Sequence, residues 1–226
     1  MALVTADNKP IINKSKIEVK KSKVETPVPV VDGIHLHSIY NPAKEAETFI
    51  GKYNENLSKQ NSVLVLGLGF GYHVWQLESE LRKHHQTWNI YVIEPNTQMT
   101  EEFKKFRPVE FSSNTRVISG ENVSDYYDDI NLVKFMASKP LVIPHAASFN
   151  LSEGFFKNFM SYQASTKLED VSRKLEDTNL GKYLLSLGEP DEDITNVLRQ
   201  LNLKKYLNAN DHFLSFFNSV TSGEMK

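Results

Sequence analysis

The sequence predicts an α/β protein: a Rossmann-like, doubly wound and mainly parallel sheet with a helical carboxyl-terminal extension. Three observations lead there. An apolar, β-favouring run enters a glycine-rich turn and then a helix-like stretch, "VLVLGLGFGYH" followed by "VWQLESELRKHH". Three further strand signals alternate with helical ones after it, the pattern of right-handed βαβ units. At 226 residues, with 40% apolar and 11% aromatic content, the chain is long enough to bury one large domain and carry an extension.

Taken in order, residues 1–26 form a mildly basic arm or strand pair. Six lysines (Lys9, Lys14, Lys16, Lys20, Lys21, Lys23) stand against Asp7, Glu18 and Glu25, a local +3, while the other 200 residues carry 20 basic and 25 acidic groups, a local -5. No aromatic residues interleave these lysines, so a solvated arm explains them better than a phosphate-binding patch. Pro27, Pro29 and Gly33 in "TPVPVVDG" mark the boundary into the main domain, residues 27–150. Asn41 then has the chemistry to cap a helix whose first position suits Pro42, and Ala46, Phe49, Ile50, Tyr53 and Leu57 recur along one face. Beyond the glycine turn come "NIYVIEP" (strand), "TQMTEEFKKF" (helix), "TRVISG" (strand), "VSDYYDDINLVKFMA" (helix) and "KPLVIPH" (strand).

From residue 151 to 226 the chain reads as helical. Phe156, Met160, Leu168, Val171 and Leu175 fall on one stripe, and "KLED" recurs at Lys167 and Lys174, two heptads where a coiled coil wants three or four. A helix packed on its own domain or in a homo-oligomer fits the stripe equally well. "DEDITNVLRQLNLKKYL" and "HFLSFFNSV" predict two more helices, and Phe213, Phe216 and Phe217 suggest that the tail docks on a partner or on its own core.

Composition excludes several classes. A net charge of -2 gives no electrostatic case for nucleic acid or membrane binding. The chain has no cysteine, hence no disulfide framework and no thiolate nucleophile. Neither a signal-peptide core in "MALVTADNKP" nor a run of 18 apolar residues is present, so a cytoplasmic protein is expected.

In a doubly wound sheet, ligands bind beyond the carboxyl ends of the strands, which directs attention to Gly67, Gly69, Gly71, Glu94, Gly120 with Glu121, and His145. The glycine triplet alone fits a tight connection as well as a nucleotide cradle. Glu94, 23 positions after Gly71, lies where a carboxylate accepts hydrogen bonds from ribose hydroxyls, and the following helix offers N–H groups near Tyr72 and His73. Together these favour a nucleotide-type ligand. His145 is the best-placed general base by position, although a structural histidine is the plainer reading. His35 and His37 share one face of an extended segment, but no third ligand is evident by spacing, so no metal site is expected. His84 and His85 sit at a helix end, an ordinary place for cationic side chains.

"VLVLGLGFGYH", "IYVIEPN" and "TRVISGEN" resemble the first motifs of class I methyltransferases, particularly the spermidine synthase branch. That resemblance implies an S-adenosylmethionine-type pocket of Gly67, Gly69, Gly71, Glu94 and Glu121. Val65 replaces the acidic residue usual two places before the first glycine, and "VIPHAASF" replaces the Asp-Pro-Pro-like motif. A second resemblance spans about residues 32–165. "GIHLHSIYNPAKEAETFI", with His37, Ser38, Tyr40, Pro42, Glu45 and Ala46, followed by "GLGFGYH", is similar to the amino-terminal region of the bacterial motility-associated factor glycosyltransferases. It implies O-glycosylation of flagellin or another protein acceptor from a cytidine-monophosphate sugar, with a nucleotide or nucleotide sugar as ligand and His37, Ser38 and Tyr40 as further pocket residues. In that family the expected catalytic centre is a larger following domain with a Gly-Pro-Ser-type motif, which this chain does not contain.

Overall fold

The computed structural model describes residues 16–175, 178–201 and 208–221, the side chains of residues 217–221 excepted. They fall into two compact units, residues 1–162 and 163–226.

The first unit opens with a small antiparallel sheet. Strands β1 (Ile17–Lys21), β2 (Pro27–Val31) and β3 (Ile34–His35) lie in the order β1-β2-β3. The lysines of β1 lie on a solvated strand while Val28, Val30 and Val31 of β2 are buried. Lys9 and Lys14 lie outside the described residues. Helix α1 (Pro42–Gly51) starts as its Asn-Pro signal predicts, the Asn41 side chain accepting from the Lys44 N–H with Pro42 in the first turn. The short α2 (Asn54–Leu57) leads to β4 (Ser62–Leu66), α3 (Tyr72–His84), β5 (Asn89–Glu94), α4 (Thr97–Phe106) and β6 (Thr115–Ser119). Helices α5 (Val123–Tyr127) and α6 (Ile130–Ala137) precede β7 (Leu141–Pro144), and α7 (Ala146–Leu151) and α8 (Glu153–Met160) complete the unit.

Strands β4 to β7 form a four-stranded, all-parallel sheet in the order β6-β5-β4-β7. Helices cover both of its faces, so β4 is apolar and buried from Val63 to Leu66. Val63 and Val65 point into a core with Ile50, Leu77 and Leu81 of α1 and α3, and Leu64 and Leu66 point into the opposite core with Tyr126, Phe135, Phe156 and Phe159. The chain runs outward from β4 through β5 to β6, then returns to place β7 on the other side of β4. The direction of winding therefore reverses between β4 and β7, the position at which this class of sheet opens a crevice.

The second unit contains α9 (Leu168–Lys174), α10 (Thr178–Leu185), α11 (Ile194–Leu201) and α12 (Ala209–Thr221), packed around Leu168, Leu184, Val197 and Leu214. The expected stripe from Phe156 to Leu175 is not one helix. Phe156 is fully buried in the first unit and Leu168 in the second, with residues 161–167 non-helical between α8 and α9. One local and one long-range polar bond hold that break: Ser165 Oγ donates to Asp170 and Thr166 Oγ1 to Asp193. The second "KLED" copy reaches residues 176 and 177, and the Phe217 side chain also lies outside the described residues. No helix among the described residues is long and apolar enough to cross a membrane.

Candidate functional site

Three histidines from separate parts of the chain meet at the reversal point between β4 and β7. His37 follows β3, His73 lies in the first turn of α3, and His145 directly follows β7. All three are buried, and each has a ring nitrogen within 4.8 Å of those of the others. The His73 and His145 rings stack at 4.2 Å and 7°, with His37 4.8 Å from His145.

Their hydrogen bonds set the tautomers. The buried Phe70 amide donates to His37 Nε2 at 2.9 Å, so the neutral ring carries its proton on Nδ1, 3.8 Å from the Glu45 carboxylate. His73 Nε2 donates to the Gly67 carbonyl at 3.0 Å, leaving its Nδ1 lone pair buried without a hydrogen-bond partner. His145 Nδ1 pairs with Ser148 Oγ at 2.8 Å. Burial, and then the neighbouring imidazoles, hold His37 and His73 well below the usual histidine range, while burial takes His145 down to about 4. The cluster is therefore neutral at pH 7.

The cluster floors a cavity of about 910 Å³ walled by Ser38, Tyr40, Lys44, Glu45, Phe49 and Lys52 among others. Ser38 N–H donates to the Glu45 carboxylate at 2.7 Å, and the Tyr40 N–H donates to Ser38 Oγ. Tyr40 is 60% exposed, with Lys23 Nζ 4.3 Å over its ring. The sequence points to His37, Ser38 and Tyr40 together in one motif and to His73 and His145 each by its position, and the fold brings all five to this cavity.

The glycine turn is packed by the protein's own side chains. Gly67, Gly69 and Gly71 all have positive φ. A Cβ on Gly67 would lie 2.3 Å from Ser148 Cβ, on Gly69 2.7 Å from His37 Nε2, and on Gly71 2.5 Å from Phe111. Tyr72 donates its hydroxyl to the Pro27 carbonyl. Glu94 is buried at the end of β5, with Oε2 accepting from the Leu68 N–H and Oε1 from the Asn96 N–H. Burial pushes its carboxyl up to about 7, against the amides of Leu68, Asn96 and Gly69, which pull it down. Glu121 is exposed beyond β6.

One expectation needs correcting. His35 and His37 do not form a pair on one face, because the extended backbone ends with β3 and His37 turns into the core while His35 stays exposed. Among the described residues, the histidines that do come together with His37 lie 36 and 108 positions downstream (73 minus 37, 145 minus 37), beyond the reach of any local spacing rule. The available signal was positional: each of the three immediately follows a strand or its turn.

Helices on both faces of a parallel sheet, with a crevice at the reversal point, define a Rossmann-like domain. Among solved structures it is similar to MnmC2 from Aquifex aeolicus at 14% identity and a TM-score of 0.35, over 53% of this chain and 48% of that one. The chain thus spans about half the length of that structure. No protein-family model matches the chain, and no curated protein does.

Proposed function

We propose that the chain is the nucleotide-type ligand-binding domain of a motility-associated glycosyltransferase-family protein, serving O-glycosylation of flagellin or another protein acceptor. One observation carries this reading. The two separated motifs behind the resemblance, residues 37–46 and 67–73, lock together through the Phe70 N–H to His37 hydrogen bond, and one cavity of ligand-binding size is lined by the first motif and by His73, the last residue of the second. Lys44 and Lys52 supply cations for phosphate or a sugar carboxylate, and the exposed ring of Tyr40 supplies a surface for a base.

The methyltransferase alternative is the weaker one. Both Glu94 oxygens already accept backbone amides, and Val65 leaves no carboxylate before the glycine turn. A non-catalytic interaction module is favoured by a different observation, the closure of the glycine turn by the protein's own side chains.

Calorimetry with cytidine and uridine nucleotides and with S-adenosylmethionine separates the three. The proposal expects a pyrimidine nucleotide to bind and to be weakened at least tenfold by Tyr40→Ala or Lys44→Ala, with no S-adenosylmethionine binding. Tight S-adenosylmethionine binding reversed by Glu94→Ala would establish the methyltransferase reading instead, and binding of none of these ligands the interaction module.

A further inference from the structure

We propose that His37, His73 and His145 are the protein ligands of a divalent transition-metal site whose remaining coordination position opens into the cavity. The inference is independent of the nucleotide reading, since it concerns the floor of the cavity and not its walls.

Donor chemistry sets the class of ion. Three imidazoles without thiolates suit Zn²⁺ and its neighbours in softness and reject Mg²⁺ and Ca²⁺, which require oxygen. Three protein nitrogens with an accessible fourth position make the open type of zinc site, in contrast to the closed structural type. Both His73 and His145 already have outer partners of the kind that orient metal-bound histidines. The Gly67 carbonyl accepts from His73 Nε2, which fixes Nδ1 as the ligating atom, and Ser148 Oγ pairs with His145 Nδ1, which leaves Nε2. The His73 Nδ1 lone pair is buried, lacks a hydrogen-bond partner and belongs to a ring stacked on His145. A buried acceptor in that condition is destabilising, and a bound cation would relieve it.

His37 is the ligand that must change. Its Nε2 is engaged by the Phe70 amide and its Nδ1 carries the proton, so joining the ion means giving up the Phe70 hydrogen bond. Nitrogens on a tetrahedral Zn²⁺ at about 2.0–2.1 Å stand roughly 3.4 Å apart. The cluster, whose nitrogens lie within 4.8 Å, therefore draws in by about 1.4 Å at most in any nitrogen–nitrogen separation, and the stacked pair splays as its lone pairs converge. Side-chain rotations supply this closure.

The test is titration of the chelator-treated full chain with Zn²⁺ by calorimetry and with Co²⁺ by visible absorption. One ion per chain is expected, with the intense Co²⁺ bands of low-coordinate nitrogen ligation. His73→Gln and His145→Gln should each weaken binding by more than the 10–100-fold typical of losing an outer partner, and Ser148→Ala by about 10–100-fold. His84→Ala/His85→Ala, which removes the surface pair at the end of α3, should change nothing. Because a buried histidine variant can fail to fold, ¹⁵N-histidine spectra of the unaltered chain give a second readout: Zn²⁺ should shift His73 Nδ1 and His145 Nε2. Absence of stoichiometric binding, binding that survives His73→Gln, binding abolished by His84→Ala/His85→Ala, or unshifted ring nitrogens would each overturn the site and leave a hydrogen-bonded packing cluster.

Discussion

Replacing Gly69 by alanine tests whether the glycine turn was built for a ligand or for the protein's own histidine. Gly69 has φ +49°, a conformation that costs an alanine about 1–2 kcal/mol. The new Cβ would lie 2.7 Å from His37 Nε2, the atom that accepts from the buried Phe70 amide at 2.9 Å. Displacing His37 leaves that amide unsatisfied, at about 1–3 kcal/mol. The expected loss is thus about 2–5 kcal/mol, a large fraction of a typical domain's stability of about 5–15 kcal/mol. Urea denaturation measures it, and a double-mutant cycle with His37→Ala assigns it. On the His37→Ala background the steric conflict is gone, so Gly69→Ala should cost only the backbone part, giving a coupling of about 1–3 kcal/mol. An equal cost on both backgrounds would refute the steric argument. A Gly69→Ala protein of undiminished stability that fails to bind nucleotide would restore the ligand explanation of this glycine.

The remaining predictions concern neighbouring groups. Glu94 has a raised pKa when folded, so it favours the folded state as pH falls from about 7 toward 4.5, contributing about 2 kcal/mol between pH 7.5 and pH 5. His145 runs the other way: its pKa is lowered to about 4, so stability present above 6.5 is lost as pH falls, also by about 2 kcal/mol over this window. In metal-free protein, Glu94→Gln should therefore lose about 2 kcal/mol more than the unaltered chain between those two pH values, and parallel urea midpoints would contradict the assignment. Tyr126→Phe leaves the Gly120 and Glu94 carbonyls without the hydroxyl that donates to them at 2.8 and 3.1 Å, and should cost about 1–3 kcal/mol in chemical denaturation. Glu78→Ala removes the acceptor for the Ser112 N–H, Ser112 Oγ and Thr115 Oγ1, which tie α3 to the start of β6. A loss of about 2–4 kcal/mol is expected, with faster amide exchange in residues 112–115; unchanged exchange there would show that the tie is dispensable.

The sheet was legible because its signals are local. The apolar run Val63 to Leu66 of β4, the glycine turn and the periodic α3 are contiguous, and the Asn41–Pro42 cap announces α1 within two residues. Parallel strands buried on both faces lose the period-two pattern but keep the apolar run, so β4 and β5 stand out even where alternation fails. The break between α8 and α9 was not legible, since helical spacing continues across residues 161–167 while the hydrogen bonds that stop the helix depend on where Asp193 comes to lie. The histidine cluster was hidden for a related reason. Its members sit in three local contexts that each read as ordinary, and only the return of the chain to place β7 beside β4 makes them neighbours.

The same return explains why glycines at this turn do not by themselves identify a nucleotide site. A glycine at positive φ next to a close approach says that something comes near the backbone, and the sequence does not distinguish a ligand phosphate from an imidazole 32 positions upstream (69 minus 37). Here the Leu68 amide is taken by Glu94 and the Phe70 amide by His37, so donors that a phosphate would need at the turn are engaged inside the protein. A ligand in this domain is consequently better placed over the α1 side of the reversal point, where Ser38, Tyr40, Lys44 and Glu45 line open space, than over the glycines. That displacement has a measurable consequence. If the pyrimidine nucleotide binds at the α1 side, Lys44→Ala should weaken it at least tenfold while Glu94→Ala, read in protein shown to be folded, leaves its affinity within about twofold. A larger effect from Glu94 than from Lys44 would return the ligand to the glycine turn and refute the α1-side placement.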